Sequence, residues 1–574
     1  MIRPHTGAFG IAPALAAGAA PPEDRAVAVT PRMKPPQSPP APGDAEPPAA
    51  PAAPALPLPQ AAATLALPGL RTRVLRLLAL APAAAFLLMA LAPPLNHDVA
   101  AILNFAERWV AGDRLYRDLI DVNPPLIFVL TAIPALLARA TGIGGVQALL
   151  LCVLLCCLAA WRMTHRLRRD RAEGPVERAV LDALVPLACV VAAYDVGQRE
   201  HLMALFAIPY AFLAARRIEG LATPRGLAWA VTLAAALGFA LKPHFLGVPL
   251  LVEALVLLRR GPRAALRDPL PWGMAALWLL YLGAIPVFFA DYFNFVVPLV
   301  VGFYLDTGGF GLLDVLLGDK LGAALAVLLV LAPLAMRNAA GAPAQALLAV
   351  ALGGFLSAWV QHKGWSYHVV PMAMASALLA GLLAARWLDQ ALPPGRAATA
   401  APGIALAAAL AVALLHLRGE SPWRQIWYYQ LRDGQIATTL RREVAGERLL
   451  VLSPDIFPVY PALNYARARS TLRFMNLWLL IGAYPDCPEG APRYRDTWEM
   501  SRPEFLVYRT VAEDFARAPP AGVLVAKRSG VPRCGAEEFD PIAYFSRHPA
   551  FAETWRRYTR IVHMDSYLLY LRED

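Results

Sequence analysis

The apolar stretch LLALAPAAAFLLMALAPPL (residues 77–95), with HDVAAILNFAERWVAGDRLYRDLIDVNPPLIF (97–128) close behind it, decides the fold. The first segment can cross a membrane as a helix, because a hydrocarbon core of about 30 Å requires roughly 20 residues of α-helix. The second segment places Asp98, Asp118 and Asp121 beside that span, and then a proline pair and another apolar run. Carboxylates so close to lipid are costly, and they indicate a functional polar site at the membrane boundary.

The composition of the whole chain supports a membrane protein. Of its 574 residues, 58% are hydrophobic and only 17% are charged, and the mean hydropathy is +0.46. These values exclude an ordinary soluble enzyme and indicate a polytopic membrane protein. The formal net charge is +11, but most cations are arginines between apolar segments. Such arginines are typical of topology signals, so we expect no nucleic-acid partner.

The apolar runs predict a polytopic α-helical fold of about 11–13 membrane helices. Arg71, Arg73 and Arg76 place the N-terminus in the cytoplasm. We interpret the ambiguous run 125–140 as a helix at the outer face, because a full crossing would move the densest basic loop, 161–178, outside. Eleven spans and an external C-terminus follow. The predicted spans are 77–95, 145–161, 178–194, 201–216, 226–241, 244–258, 270–289, 321–336, 343–361, 368–386 and 399–416.

The chain divides into three predicted regions. Residues 1–68 are rich in proline and alanine, and we expect them to be disordered and cytoplasmic. Residues 69–417 form the membrane domain, whose first external loop is 95–144. Residues 418–574 form a small external α/β domain. We expect a strand and then a turn in ERLLVLSPDIFPVYPAL, strands in PAGVLVAK and SYLLYLRED, and a helix in PIAYFSRHPAFAETW. In this domain Cys487 and Cys534 can form a disulfide or remain free.

Polar and aromatic residues gather at the external ends of the predicted spans. The segments are LNHD, DVNPPL, YDVGQREHL, LKPHF, DYFNF, LDTGGFG and QHKGWSYH. This asymmetry predicts a polar cavity that opens on the outer face, with the glycines of LDTGGFG as a gate. Lysines there oppose the positive-inside trend, which favours an anionic ligand such as a lipid-linked phosphate. For any single lysine the alternative is a side chain that reaches toward lipid headgroups.

Each candidate residue has a structural alternative. Asp98 is either a general base or the cap of the helix that follows it. Asp121 and Asn123 either bind substrate or form a turn before the proline pair. Asp121 and Asp195 are candidate ligands of a divalent metal ion, which the spacing leaves open. The segment 362–368 is either an aromatic belt or a wall over a phosphate headgroup. The candidate substrate-binding residues are Asp121, Asn123, Asp195, Arg199, Glu200, His201, Lys242, His244, His362, Lys363, Tyr367 and His368.

The order of these parts resembles the GT-C membrane glycosyltransferases. Within them it is similar to the dolichyl-phosphate-mannose protein mannosyltransferase-like and aminoarabinose-transferase-like group. The resemblance rests on the apolar first span, on Asp98 at the start of a large external loop, and on GDRLYRD and DVNPPL. It is best over residues 90–260, and the later spans and the external tail extend it over most of the chain.

The resemblance implies an inverting glycosyltransferase of the inner membrane. Such an enzyme moves a sugar from a polyprenyl-phosphate donor to a glycan, lipid or protein acceptor at the outer face. Asp98 would be the catalytic base, while Asp121 and Asp195 match acids that bind metal or acceptor in some relatives. Many relatives carry an Asp-Glu pair where this chain has Asp98 and Val99, so the second acid is missing. On chemistry, Arg199, Lys242 and Lys363 would contact the donor phosphate.

Two other functions fit the sequence. A transporter or flippase of a lipid-linked or anionic precursor would place acids and lysines near the bilayer midplane, in interrupted helices related by a repeat. In this chain they gather near one surface, which argues against transport. A non-catalytic scaffold for envelope assembly would use the external domain for binding.

Overall fold

The computed structural model describes residues 69–305, 309–417 and 427–573. These residues belong to one structural unit, Leu67–Asp574. Three predictions concern residues outside the described part of the chain. They are the disorder of 1–68, the gate at 306–308 of LDTGGFG, and the domain boundary at 417/418, which borders the segment 418–426.

All eleven apolar runs that were predicted as spans form helices, and the run 125–140 forms α3. Within the described residues seven helical segments are long and apolar enough to cross a membrane, in α1, α4, α6, α10, α14, α15 and α16. The chain is therefore a multi-pass membrane protein. The helices are α1 (Leu70–Leu91), α2 (His97–Ala111), α3 (Pro125–Thr141), α4 (Gly145–Arg168), α5 (Pro175–Ala188), α6 (Arg199–Ile218), α7 (Arg225–Phe239), α8 (Gly247–Arg260), α9 (Pro262–Leu266), α10 (Pro269–Phe288), α11 (Val297–Phe303), α12 (Leu312–Leu317), α13 (Asp319–Ala335), α14 (Gly341–Val360), α15 (Val370–Ala391) and α16 (Pro394–His416).

Four of the predicted spans form shorter helices. Helices α5, α7, α8 and α13 contain 14, 15, 14 and 17 residues. A perpendicular crossing needs roughly 20 helical residues, so the apolar flanks of these helices must complete any crossing. For example, the 3₁₀ turn Pro243–Leu246 directly precedes α8. The count of eleven crossings stays a prediction.

Burial separates central from peripheral helices. Helix α6 is buried along most of its length and packs against α4, α7, α8, α14 and α15. Helix α10, in contrast, exposes Leu279 (71%) and Leu280 (72%). Apolar side chains that point away from the bundle lie against lipid in a membrane. The position of α6 is important for the site, because its first turn carries Arg199 and Glu200.

Basic residues from separate loops and helix ends meet at one end of the bundle. Arg217 at the end of α6 pairs with Asp268 before α10, at 2.7 Å between Nε and Oδ2. Arg386 in α15 pairs with Glu177 in the first turn of α5, at 2.8 Å between Nη2 and Oε1. These pairs connect loops that are far apart in sequence, as the predicted topology requires.

The tail forms a five-stranded sheet in the order β2-β1-β3-β5-β4, in which β1 is parallel to both neighbours and β5 is antiparallel to both. The three predicted strands are confirmed, and the first of them is followed by the predicted turn and then by a helix from Val459. The predicted helix 541–555 forms two short helices, because Pro549 begins the second one. Cys487 and Cys534 form a disulfide. The elements are α17 (Arg432–Glu443), β1 (Arg448–Leu452), α18 (Val459–Ala466), β2 (Arg469–Ser470), α19 (Trp478–Ala483), α20 (Arg502–Arg517), β3 (Gly522–Ala526), α21 (Pro541–Ser546), α22 (Pro549–Trp555), β4 (Arg560–His563) and β5 (Tyr567–Leu571).

The sheet domain contacts the first loop of the membrane domain through hydrogen bonds. The backbone N–H of Leu95 donates to the Tyr465 hydroxyl (2.7 Å), and the Asn464 amide donates to the Ala100 carbonyl (3.0 Å). Residues 453–466 therefore lie against the start of α2. This contact places the tail beside the aspartates of the loop 95–144.

Candidate active site

Asp98 lies in the first turn of α2, but the cap of that helix is Asn96. The Asn96 side-chain oxygen accepts hydrogen bonds from the backbone N–H groups of Asp98 (3.0 Å) and Val99 (3.4 Å). An asparagine oxygen in this position satisfies N–H groups that lack a partner within the helix. The structure therefore rejects the capping alternative for Asp98 and leaves its carboxylate to contact other groups.

The Asp98 carboxylate faces one amide and two basic side chains. Gln198 Nε2 donates to Oδ2 at 3.1 Å, Arg199 Nη2 lies 3.6 Å from the same oxygen, and His97 Nε2 lies 3.6 Å from Oδ1. Burial alone would raise the pKa of Asp98, but His97 and Arg199, with the Gln198 hydrogen bond, hold it below its ordinary value. The side chain is 15% exposed. Asp98 is thus an ionised and largely desolvated carboxylate.

The sequence YDVGQREH forms the turn that presents Gln198 and Arg199 to Asp98. Gly197 has a φ of +90°, which side chains rarely tolerate. The backbone N–H of Gly197 donates to His201 Nδ1 (3.1 Å), and His201 Nε2 lies 3.0 Å from the Cys189 carbonyl. Asp195 Oδ1 accepts from Asn96 Nδ2 at 3.0 Å. His201 and Asp195 therefore stabilise the turn and the cap.

A second cluster joins the first turn of α6 and the two loops that contain Lys242 and Gln361. Lys242 Nζ donates to Glu200 Oε1 at 2.5 Å and to Gln361 Oε1 at 3.0 Å, and it lies 5.6 Å from the centre of the Tyr367 ring. His368 Nε2 lies 3.8 Å from Glu200 Oε1. Burial lowers the pKa of Lys242 to about 8, although the Glu200 carboxylate opposes this shift. Four of the predicted residues are thus close together.

Asp121 and Asn123 form a buried turn next to this site. The Asn123 backbone N–H and side-chain amide both donate to Asp121 Oδ1, at 2.8 and 2.7 Å. Burial raises the pKa of Asp121, against the effect of these hydrogen bonds and of Arg199. Its carboxyl interacts electrostatically with both Arg199 and Asp98. The turn predicted as the structural alternative for these residues is present, and it lies within electrostatic range of Asp98.

Lys363 reaches the site from the loop after α14. Its Nζ donates to the carbonyls of Leu305 (2.6 Å) and Tyr304 (3.2 Å), and it lies 5.2 Å from the centre of the Tyr304 ring. The Tyr304 hydroxyl interacts electrostatically with Asp98. Lys363 and Asp98 therefore both lie near Tyr304, at the same end of the bundle.

Two predicted histidines are less closely connected to Asp98. His362 has its Nδ1 3.0 Å from the Phe310 carbonyl, and so it faces the loop before α12. His244 packs edge-on against Phe245, with ring centres 5.3 Å apart. Its charge would interact with Glu200 and Lys242, which places His244 at the margin of the Glu200 cluster.

Asp121 and Asp195, the candidate metal ligands, each have a hydrogen-bond partner in the structure. The residues that the structure describes contain no group of three or more His, Cys, Asp or Glu side chains that could hold a metal ion. Asp121 hydrogen-bonds with Asn123, and Asp195 hydrogen-bonds with Asn96. Metal binding by Asp121 and Asp195 stays a prediction.

Five residues of the site were not predicted, and most of them carry no titratable group. Asn96, Gln198 and Gln361 lie inside the segments LNHD, YDVGQREHL and QHKGWSYH, so a signal for them was present. Tyr304 lies outside those segments. Phe457 comes from the tail, and its ring packs edge-on against His97 with ring centres 6.0 Å apart. No sequence signal connects Phe457 with the first loop.

The fold combines a bundle of membrane helices, an aspartate at the start of the first loop helix and a small α/β domain against that loop. Among solved structures the chain is similar to ArnT from Cupriavidus metallidurans, both bound to undecaprenyl phosphate (TM-score 0.53, 14% identity) and in the apo state (0.52, 13%). Each match covers 87% of this chain and 98% of the ArnT chain.

These matches concern the fold. They confirm the predicted GT-C-like fold, because they cover nearly the whole length of both chains. No protein-family model matches the sequence, and no curated protein matches it either.

Proposed function

We propose that this protein is an inverting glycosyltransferase that moves a sugar from a polyprenyl-phosphate donor to an acceptor at the outer face of the inner membrane. The observation that carries the proposal is the state of Asp98. Its carboxylate is released from capping by Asn96 and held ionised next to Arg199. A desolvated carboxylate beside a cation, at the end of a membrane bundle, fits a base that acts next to a phosphate leaving group.

In the proposed reaction Asp98 acts on the acceptor and Arg199 acts on the phosphate that leaves. Asp98 removes the proton from the acceptor hydroxyl or amine as that atom attacks the anomeric carbon of the sugar. The bond from the anomeric carbon to the phosphate oxygen breaks, and its electron pair leaves with the polyprenyl phosphate. Arg199 stabilises the negative charge that develops on this phosphate. The sugar configuration inverts because attack and departure occur on opposite faces.

Unsatisfied polar atoms support Arg199 as the main phosphate contact. Arg199 Nε, Glu200 Oε2 and both ring nitrogens of His368 are buried and lack a hydrogen-bond partner among the described residues. Buried polar atoms are rarely left unpaired, so a group of them points to a bound ligand or water. Lys242 is engaged by Glu200, and Lys363 donates to backbone carbonyls. Both lysines would contribute long-range positive charge or rearrange on binding.

The donor class and the membrane side rest on further observations. The solved ArnT structure with the same fold contains undecaprenyl phosphate, a carrier of the proposed class. The tail contains the Cys487–Cys534 disulfide, and disulfides persist in oxidising compartments such as the periplasm. Basic residues from separate loops and helix ends meet at one end of the bundle, and positive-inside topology places that end in the cytoplasm.

Transport is the weaker alternative. A transporter of this kind would carry its ionic groups in the middle of interrupted helices. Asp98, Arg199 and Glu200 lie in first helical turns, and Lys242 and Lys363 lie in loops. The ionic cluster is therefore at the ends of the helices.

The test is the Asp98→Asn variant. We expect transfer from a panel of polyprenyl-phosphate hexoses and pentoses to membrane acceptors to fall by about 10²- to 10⁴-fold, the usual contribution of a general base. Asp118→Asn is the matched control, since Asp118 lies in the same loop but pairs with the exposed Arg114. Full activity of Asp98→Asn at a normal protein level would refute the role of Asp98.

A further inference from the structure

A large cavity lies on the other side of α2 from Asp98. Its volume is about 1220 Å³, and it is lined by the end of α1, by α2 and α3, by the first turns of α4 and by residues 464–469 of the tail. Glu107 in this cavity is nine residues after Asp98, which is two and a half helical turns and roughly 13 Å along the axis. The two residues therefore point to opposite faces of α2. The cavity is separate from the proposed active site.

The polar wall of this cavity is strongly basic. It contains Arg108, Arg139, Arg441, Arg467 and Arg469 against the single carboxyl group of Glu107. Of these five arginines, Arg108 is the only one that forms an ion pair within the described residues. Its Nε lies 2.8 Å from Asp113 Oδ2. Arg441, Arg467 and Arg469 are exposed. Three guanidinium groups are thus available to an anion, and guanidinium groups match phosphate in geometry and charge.

Glu107 does not neutralise this wall. Its carboxyl group makes no hydrogen bond or ion pair in the part of the chain that the structure describes. If residue 145 were not glycine, its Cβ would lie only 1.8 Å from Glu107 Oε1. The glycine at position 145 therefore leaves room for it. Burial raises the pKa of Glu107 to about 7, against the effect of Arg469. At neutral pH a large share of Glu107 is uncharged.

The opposite wall is apolar and belongs to two membrane helices. Leu91 in the last turn of α1 and Leu151 in α4 line the cavity, and they are 41% and 44% exposed. Both helices are long and apolar enough to cross the membrane. The cavity thus places arginines next to apolar side chains at a membrane boundary, which is the polarity profile of a lipid with a phosphate headgroup.

We propose that this cavity, which we call the arginine cavity, binds the headgroup of an anionic, phosphate-bearing membrane lipid, with the acyl chains of the lipid along α1 and α4. The site does not depend on the proposed transfer reaction. Because it lies behind α2, a lipid bound there does not present its headgroup to Asp98. A soluble phosphate compound would use the same arginines, but it would gain nothing from the leucines.

The test is lipid binding by the full chain, purified in detergent and measured by native mass spectrometry. We expect phosphatidylglycerol to bind more tightly than phosphatidylcholine. The variant Arg467→Gln with Arg469→Gln should weaken phosphatidylglycerol binding at least about tenfold, which corresponds to about 1.4 kcal/mol, because it removes two of the three guanidinium groups available to the phosphate. Arg467→Lys with Arg469→Lys should restore part of the loss.

Arg556→Gln with Arg557→Gln is the matched control, because it removes two exposed arginines of the tail that do not line the cavity. Equal binding of the two lipids would overturn the proposal, and so would equal loss in the cavity and control variants. Glycerol phosphate that binds as tightly as the lipid would show a soluble ligand instead and overturn the lipid assignment. Circular dichroism and elution volume check that each variant is folded.

Discussion

The buried pair of Glu200 and Lys242 gives the sharpest quantitative prediction. Glu200 Oε1 and Lys242 Nζ are 2.5 Å apart, and their side chains are 1% and 10% exposed. Removal of one partner from a buried ion pair costs about 3–5 kcal/mol, because the other charge remains without compensation. Lys242→Met strands a carboxylate whose Oε2 already lacks a partner in the described residues. Glu200→Gln leaves an ammonium that still donates to Gln361.

The two single variants should therefore differ. We expect Lys242→Met to lower the free energy of unfolding by about 5 kcal/mol and Glu200→Gln by about 3 kcal/mol, the upper and lower ends of that range. The double variant should cost much less than the sum, since it leaves neither charge of the pair without its partner. The measurement is reversible unfolding in mixed micelles, followed by tryptophan fluorescence. Lys527→Met, at an exposed lysine of the tail, is the control and should change little.

The pair also predicts a pH dependence. The pKa of Lys242 is lowered from 10.5 to about 8 in the folded protein by burial. Between these values the unfolded chain binds more protons than the folded chain, so this lysine makes stability rise with pH from about 8 to about 10.5. The difference between wild type and Lys242→Met should show that slope. Equal stability of both single variants and wild type, with no coupling in the double variant, would refute the reasoning.

Three further predictions concern the surrounding structure. Asn96→Ala removes the α2 cap and should cost about 1 kcal/mol and reduce transfer, measured by unfolding and transfer assays with Asn96→Ser as the control. Cys534→Ser opens a disulfide with a sequence separation of 47 and should cost about 4 kcal/mol in unfolding under oxidising conditions. Gly353→Ala, whose Cβ would lie 2.6 Å from Val248 Cα, should cost about 1–3 kcal/mol in thermal unfolding, whereas Gly403→Ala has open space.

The helices were predictable because membrane chemistry restricts the backbone. In lipid every backbone polar group needs an internal partner, so a long apolar run must become a helix. The central strands of the tail were also predictable, because RLLVL of β1 and GVLVA of β3 are apolar runs of strand length. The strand β4, in contrast, has the sequence RIVH, and most of its side chains are exposed. A short strand at the edge of a sheet has no apolar pattern, and so the sequence did not indicate it.

The site was predictable as a region but not as a set of contacts. Asn96 and Asp98 are both residue types that commonly cap helices. Only the residue at which the helix begins shows that Asn96 is the cap. Lys242 was expected to contact phosphate, but in the structure it pairs with Glu200, which is 42 residues away in sequence. That pairing depends on how α6 packs against the loop before α8. Tertiary distances of this kind leave no trace in residue type or spacing.

Asp98 and Asp121 show how environment assigns different roles to two similar residues. Asp98 faces His97 and Arg199, and its pKa is lowered, whereas burial raises the pKa of Asp121, which receives hydrogen bonds from the neutral Asn123. A base must be ionised before it acts, which favours Asp98. On the proposed mechanism the donor phosphate competes for Arg199. The attraction that lowers the pKa of Asp98 then weakens, so donor binding makes Asp98 a stronger base when the acceptor is needed.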